Sequence, residues 1–182
     1  MDETATSSAT SAGAVTLGDY VKTTLILVAC AAWLLTIMAG AHSPQLAKDA
    51  LIAPIIALVG LTGVVCALMA AFRNLGILRG LTSPCDYIAN QPQHGVDWIE
   101  RPARTFNNLL QMPTLFYLVC VLMMLTHRVD QSSLTLAWTF VALRAVHAVI
   151  YIGWNTLHYR FGTWFAGCIV LATLWVRFAM LR

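Results

Sequence analysis

Charge is scarce in this chain. Only 10% of its 182 residues are Asp, Glu, Lys or Arg, where an average soluble domain carries about a quarter. Eight acidic and eleven basic residues leave a net charge of +3. That is too little charge to cover a soluble sphere, and too little basic surface for a nucleic-acid binder. Cysteine pairs are missing as well. Cys30, Cys66, Cys85, Cys120 and Cys168 form no Cys-x-x-Cys, and four of the five lie in apolar runs. This pattern argues against a zinc site or a disulfide framework and fits small buried hydrophobes. No metal site is expected. What the chain has instead is apolar length: 59% hydrophobic residues and a mean hydropathy of +0.72. A bilayer is the solvent that suits it.

No charged residue falls between Lys22 and Lys48, between Asp49 and Arg73, or between Arg104 and Arg128. Each gap exceeds the roughly 20 residues a helix needs to cross hydrocarbon. Two further apolar stretches are interrupted by Arg144 and Arg177. Five spans are therefore expected, at about 22–41, 51–73, 106–126, 134–152 and 161–181. Their unbroken apolar character points to helices rather than to the alternating strands of a barrel. The expected fold is all-α, an integral membrane helical bundle.

Residues 1–19 are rich in Ser, Thr and Ala and read as a disordered polar tail. The first span has a small-residue Ala39-Gly40-Ala41, which a signal peptide would also show. Asp2, Glu3 and Asp19 ahead of it carry the wrong sign for that, so a retained helix is preferred. Pro54 suits the first turn of the second span, and Ser132 or Ser133 suits the cap of the fourth. Five spans put Lys22, Arg73, Arg79, Arg101, Arg104 and Arg160 on one side of the membrane. Lys48, Arg128, Arg177 and Arg182 fall on the other, so the first side is expected to face the cytoplasm.

Arg144 lies about eight residues, or ~12 Å, inside its span. A charge at that depth costs at least a few kcal/mol unless paired or wetted. His147 and Tyr151 follow at +3 and +7, which places all three on one helical stripe. Arg104, Asn108 and Gln111, at 0, +4 and +7, form a second stripe starting at the same membrane side. Arg160 opens the last span at that level. If the stripes meet, they make a cationic pocket with an apolar floor. Each residue alone has a plainer reading. Arg104, Arg160 and Arg177 fit snorkelling to the interface. Asn108 and Gln111 fit hydrogen bonding between helices. His147 fits a satisfied core histidine, and Arg144 fits a pair with a carboxylate such as Glu100.

Glu100-Arg101-x-x-Arg104-x-x-x-Asn108, followed by Pro113, resembles the second-helix motif of the MAPEG family, the membrane-associated proteins of eicosanoid and glutathione metabolism. Arg144-x-x-His147-x-x-x-Tyr151, with Arg160 nine residues on, resembles the third-helix motif and following arginine of its microsomal prostaglandin E synthase and glutathione transferase branch. The resemblance covers about residues 51–181.

The resemblance implies a four-helix MAPEG-like core over 51–182, with one extra N-terminal transmembrane helix and connector over 20–50. It implies a homotrimer that binds glutathione between protomers near the cytoplasmic face. Arg104, Asn108, Gln111, Arg144, His147, Tyr151 and Arg160 would line the site. Arg160 would stabilise the glutathione thiolate and Tyr151 would hydrogen-bond the tripeptide; these two are the candidate catalytic residues. The second substrate would be a lipophilic electrophile arriving from membrane lipids, and the activity transfer or peroxide reduction. Gln111 stands where well-known members carry glutamate, and Phe161 where some carry a small hydroxyl residue. Two other readings remain beside this one: a non-catalytic membrane protein holding a lipid or anionic small molecule in the same pocket, and a transporter with Arg144 on an anion path.

Overall fold

The computed structural model describes residues 46–83 and 96–180, together with isolated positions between 21 and 36. A 3-10 turn at Lys48–Leu51 feeds α1 (Ile52–Leu78); α2 (Asp97–Leu125), α3 (Gln131–Ile152) and α4 (Leu157–Met180) follow. All four helices are long and apolar enough to cross a membrane. The fold is an all-α membrane bundle, as composition requires. The polar tail over 1–19 and most of the span at 22–41 lie outside the described residues.

The helices outrun the apolar stretches that mark them. The fourth and fifth apolar stretches correspond to α3 and α4, and α2 begins at Asp97 rather than near 106. A hydropathy boundary stops at the first charge, but backbone hydrogen bonding continues through it. Asp97 and Glu100 in the first turn of α2 meet the positive end of the helix dipole. Pro54 sits in the first turn of α1, where its missing N–H removes no helical bond. The C-terminal end of α2 closes on His127 at φ 55°, with the Arg128 N–H bonded to the Met123 carbonyl at 2.9 Å, a Schellman-type end.

The cap of α3 differs from expectation. Neither Ser132 nor Ser133 supplies it. The Asp130 carboxylate accepts from the Ser133 N–H at 2.8 Å, because a side chain at the N-cap reaches the third helical N–H, not its own.

α1 packs chiefly on α2, and α3 on α4, so the bundle is two antiparallel hairpins laid together. Their shared core includes Leu58, Phe116, Val119, Leu136, Phe140, Val170 and Leu174. Phe116 of α2 stacks on Phe140 of α3 at 4.8 Å. In lipid such packing is held by close contact rather than by escape from water. Small residues allow that contact: an added methyl at Gly76 would come within 2.7 Å of Ile99, and one at Gly167 would run into the Arg144 guanidinium.

Arg177 does not snorkel. It is 4% exposed and forms a salt bridge with Asp130, also buried, across the α3–α4 hairpin. Burial alone would raise the Asp130 carboxyl, but hydrogen bonds from Arg177 and Ser133 hold it below its ordinary value. Snorkelling fails here because a carboxylate 47 residues away in sequence is delivered to the same level by the turn before α3.

Candidate functional site

The opposite end of the bundle, where α2 and α4 start and α3 finishes, is rich in arginine. Asp97, in the first turn of α2, accepts from Arg101 at 2.8 Å and from Arg104 at 3.0 Å. Arg101 also donates to the Gly153 carbonyl at 2.7 Å, tying the start of α2 to the end of α3. Glu100 pairs with Arg73 of α1 at 3.3 Å. It is therefore committed elsewhere and does not neutralise Arg144.

Arg144 is fully buried, at 0% exposure. Its guanidinium reaches across to α4, donating to the Trp164 carbonyl at 2.9 Å and more weakly to that of Thr163 at 3.5 Å. It also lies 5.3 Å from the Phe140 ring centre, within cation–π range. Its Nε and Nη1 have no hydrogen-bond partner. Among the described residues it has no ion pair.

One turn on, His147 Nδ1 lies 3.1 Å from the Arg160 carbonyl and 3.3 Å from the Thr163 hydroxyl. A carbonyl only accepts, so Nδ1 carries the proton, and in the neutral ring Nε2 is left as an acceptor. That Nε2 is buried with no partner. Tyr151 packs edge-on to His147, and the Arg160 guanidinium lies 4.5 Å over the Tyr151 ring. Arg160 donates through Nη1 to the Asn155 side-chain oxygen at 2.7 Å. No carboxylate pairs with it among the described residues.

These groups border one cavity of about 260 Å³, lined by Asn108, His147, Tyr151, Leu157, Arg160, Phe161 and Trp164. The Asn108 side-chain oxygen is a second buried acceptor without a partner. The structure thus gathers four of the seven candidate residues: Asn108, His147, Tyr151 and Arg160. Arg104 is exposed and held by Asp97, Gln111 is exposed on α2, and Arg144 is buried between α3 and α4, so these three do not line the cavity of the single chain. The stripes foretold which faces are polar, not that Arg144 would turn toward α4. Sequence reasoning missed Asn155, whose only signal was an amide residue in a short turn.

The family model of the MAPEG family matches residues 50–180, the whole of α1 to α4. The chain belongs to the MAPEG family. No curated protein and no solved structure matches it. MAPEG membership carries a general chemistry, that of membrane-bound glutathione-related transferases and isomerases. It also fits the four apolar helices of a multi-pass integral membrane protein. Within this MAPEG chain, both family-like motifs fall inside the matched residues, and three of the four cavity-lining candidates come from them.

The polar groups of the lining suit the chemistry of a small zwitterionic guest. Among the described residues the lining offers an unneutralised cation at Arg160 and two unpaired acceptors at Asn108 and His147. Glutathione brings carboxylates for the first and N–H or S–H donors for the second. Among the described residues no cluster of side chains suited to a metal is present.

Proposed function

We propose that this chain is a glutathione-dependent membrane transferase or peroxidase acting on lipophilic electrophiles. Arg160 carries the reading. It is a guanidinium at a cavity wall, oriented by a neutral amide and an aromatic ring, with its charge left available. Bound glutathione would supply a thiol sulfur, which reacts as the thiolate. A nearby guanidinium favours that ionised form. Tyr151 would hydrogen-bond the tripeptide, and His147 Nε2 and Asn108 would accept from its donors.

Two of the three remaining candidates, Arg104 and Gln111, act across subunits in this reading. At about 260 Å³ the cavity is below the usual range of roughly 300–1,000 Å³ for ligand sites. Arg104 and Gln111 point away from the chain on α2. An outward polar stripe is costly against lipid, and a second protomer would cover it. A homotrimer, as is typical of MAPEG proteins, would let these residues complete a neighbour's cavity near the cytoplasmic face. Arg144 would contribute by its field rather than by touching the guest.

Calorimetric titration of reduced glutathione into detergent-purified protein tests the reading. Saturable binding is expected, with roughly tenfold weaker binding for Arg160→Ala, the size of one lost charge-assisted contact. A wild-type protein that takes up no glutathione would end it.

A further inference from the structure

Between α3 and α4 runs a turn of four residues, 153–156, that no motif singles out. Two arginines grip it. Arg101 donates to the Gly153 carbonyl, and Arg160 donates to the Asn155 side chain, each at 2.7 Å. Asn155 has φ 51°, in the left-handed region, where Asn, Asp and Gly are far better tolerated than other residues. Its N–H bonds the Ile150 carbonyl at 2.7 Å, which closes the end of α3. One residue therefore ends a helix and presents an acceptor to the guanidinium that overlies Tyr151.

We propose that Asn155 is the positioning residue for Arg160, and that its being an amide rather than a carboxylate is what leaves the Arg160 charge free for an anion. This rests on the reading of Arg160 as the stabiliser of bound thiolate. Both halves follow from chemistry. An Asn oxygen accepts one guanidinium N–H and fixes the plane over the ring. An Asp in the same place accepts the same bond but cancels the charge. Gly takes the same backbone conformation and offers no acceptor.

Three forms separate these contributions: wild type, Asn155→Asp and Asn155→Gly, each as full-length detergent-purified protein. The probe is reduced glutathione, and the readout is the pH dependence of thiolate absorbance near ~240 nm, since ionised sulfur is the species a lowered pKa creates. Asn155→Asp is expected to raise the midpoint of bound-thiol ionisation by about one pH unit, the low end of what an added charge does at close range. Asn155→Gly is expected to weaken glutathione binding roughly tenfold, as loss of a charged hydrogen bond implies. Thermal midpoints of both variants accompany the titrations, and a variant that fails to fold leaves the other to decide. If wild type binds glutathione and a folded Asp variant keeps its midpoint, or a folded Gly variant keeps its affinity, the role of Asn155 is overturned while the proposed function stands. If wild type binds no glutathione, the function falls and takes this inference with it.

Discussion

The two ends of the bundle treat a buried arginine in opposite ways. At one end Arg177 meets Asp130, and that carboxylate is in turn held by the Ser133 N–H. At the other, among the described residues, Arg144 is more deeply buried yet meets carbonyl oxygens and a ring, and Arg160 meets an amide and a ring, with no carboxylate at either. A compensated charge in the membrane ties helices together and has nothing left to offer a ligand. An uncompensated one is costly, and of Arg144 and Arg160 it is the half-buried Arg160 that borders the cavity, with the unpaired acceptors of Asn108 and His147 beside it. The difference separates the structural end of this protein from the end where binding is proposed.

Breaking the compensated end is expected to have the largest effect on stability. Asp130→Ala strands Arg177 and should cost about 3–5 kcal/mol, as removal of one partner of a buried pair does. Denaturant unfolding in detergent measures it. The double variant Asp130→Leu with Arg177→Met should recover most of the loss, because no charge is then left alone.

Next in size is Gly167→Ala. Its methyl would displace the Arg144 guanidinium from α4, at about 1–3 kcal/mol for overpacking. Adding Arg144→Met should relieve part of that cost, and the non-additivity of the pair measures the contact.

Acid should act more gently on the same comparison. The Asp130 carboxyl is held below its ordinary value of 3.8, so its contribution is fully present above that pH. It is lost as pH falls through the lower folded value. Unfolding of wild type should steepen with acid in that window, and the double variant should lose this dependence.

The smallest expected effect on stability is that of Arg144→Met. Replacing an unpaired buried charge with an apolar chain of similar length should leave stability unchanged or raised, while glutathione binding weakens. A large loss of stability would show instead that the carbonyl contacts of Arg144 hold the hairpin together.

Much of the fold is written in the runs between charges. The gap from Asp49 to Arg73 marks α1, and the gap from Arg104 to Arg128 marks most of α2. Helical spacing also put His147 and Tyr151 on one stripe and Asn108 on another, and the structure brings the two stripes to one cavity. What spacing could not show is which acceptor a long side chain finds. Arg144 and Arg177 both interrupt apolar spans, the first read as a deep pocket charge and the second as snorkelling, and their fates depend on Asp130 and Gly167, which lie elsewhere in the sequence. Asn155 was illegible for another reason: its role comes from a backbone conformation set by the end of α3.

A crossed comparison of Arg160→Met and Arg177→Met, each scored for glutathione affinity by calorimetry and for thermal midpoint, tests the division between the two ends most directly. The account predicts that Arg160→Met loses affinity at an unchanged midpoint and that Arg177→Met loses midpoint at an unchanged affinity when measured below its transition. Equal effects of both substitutions on both quantities would contradict it.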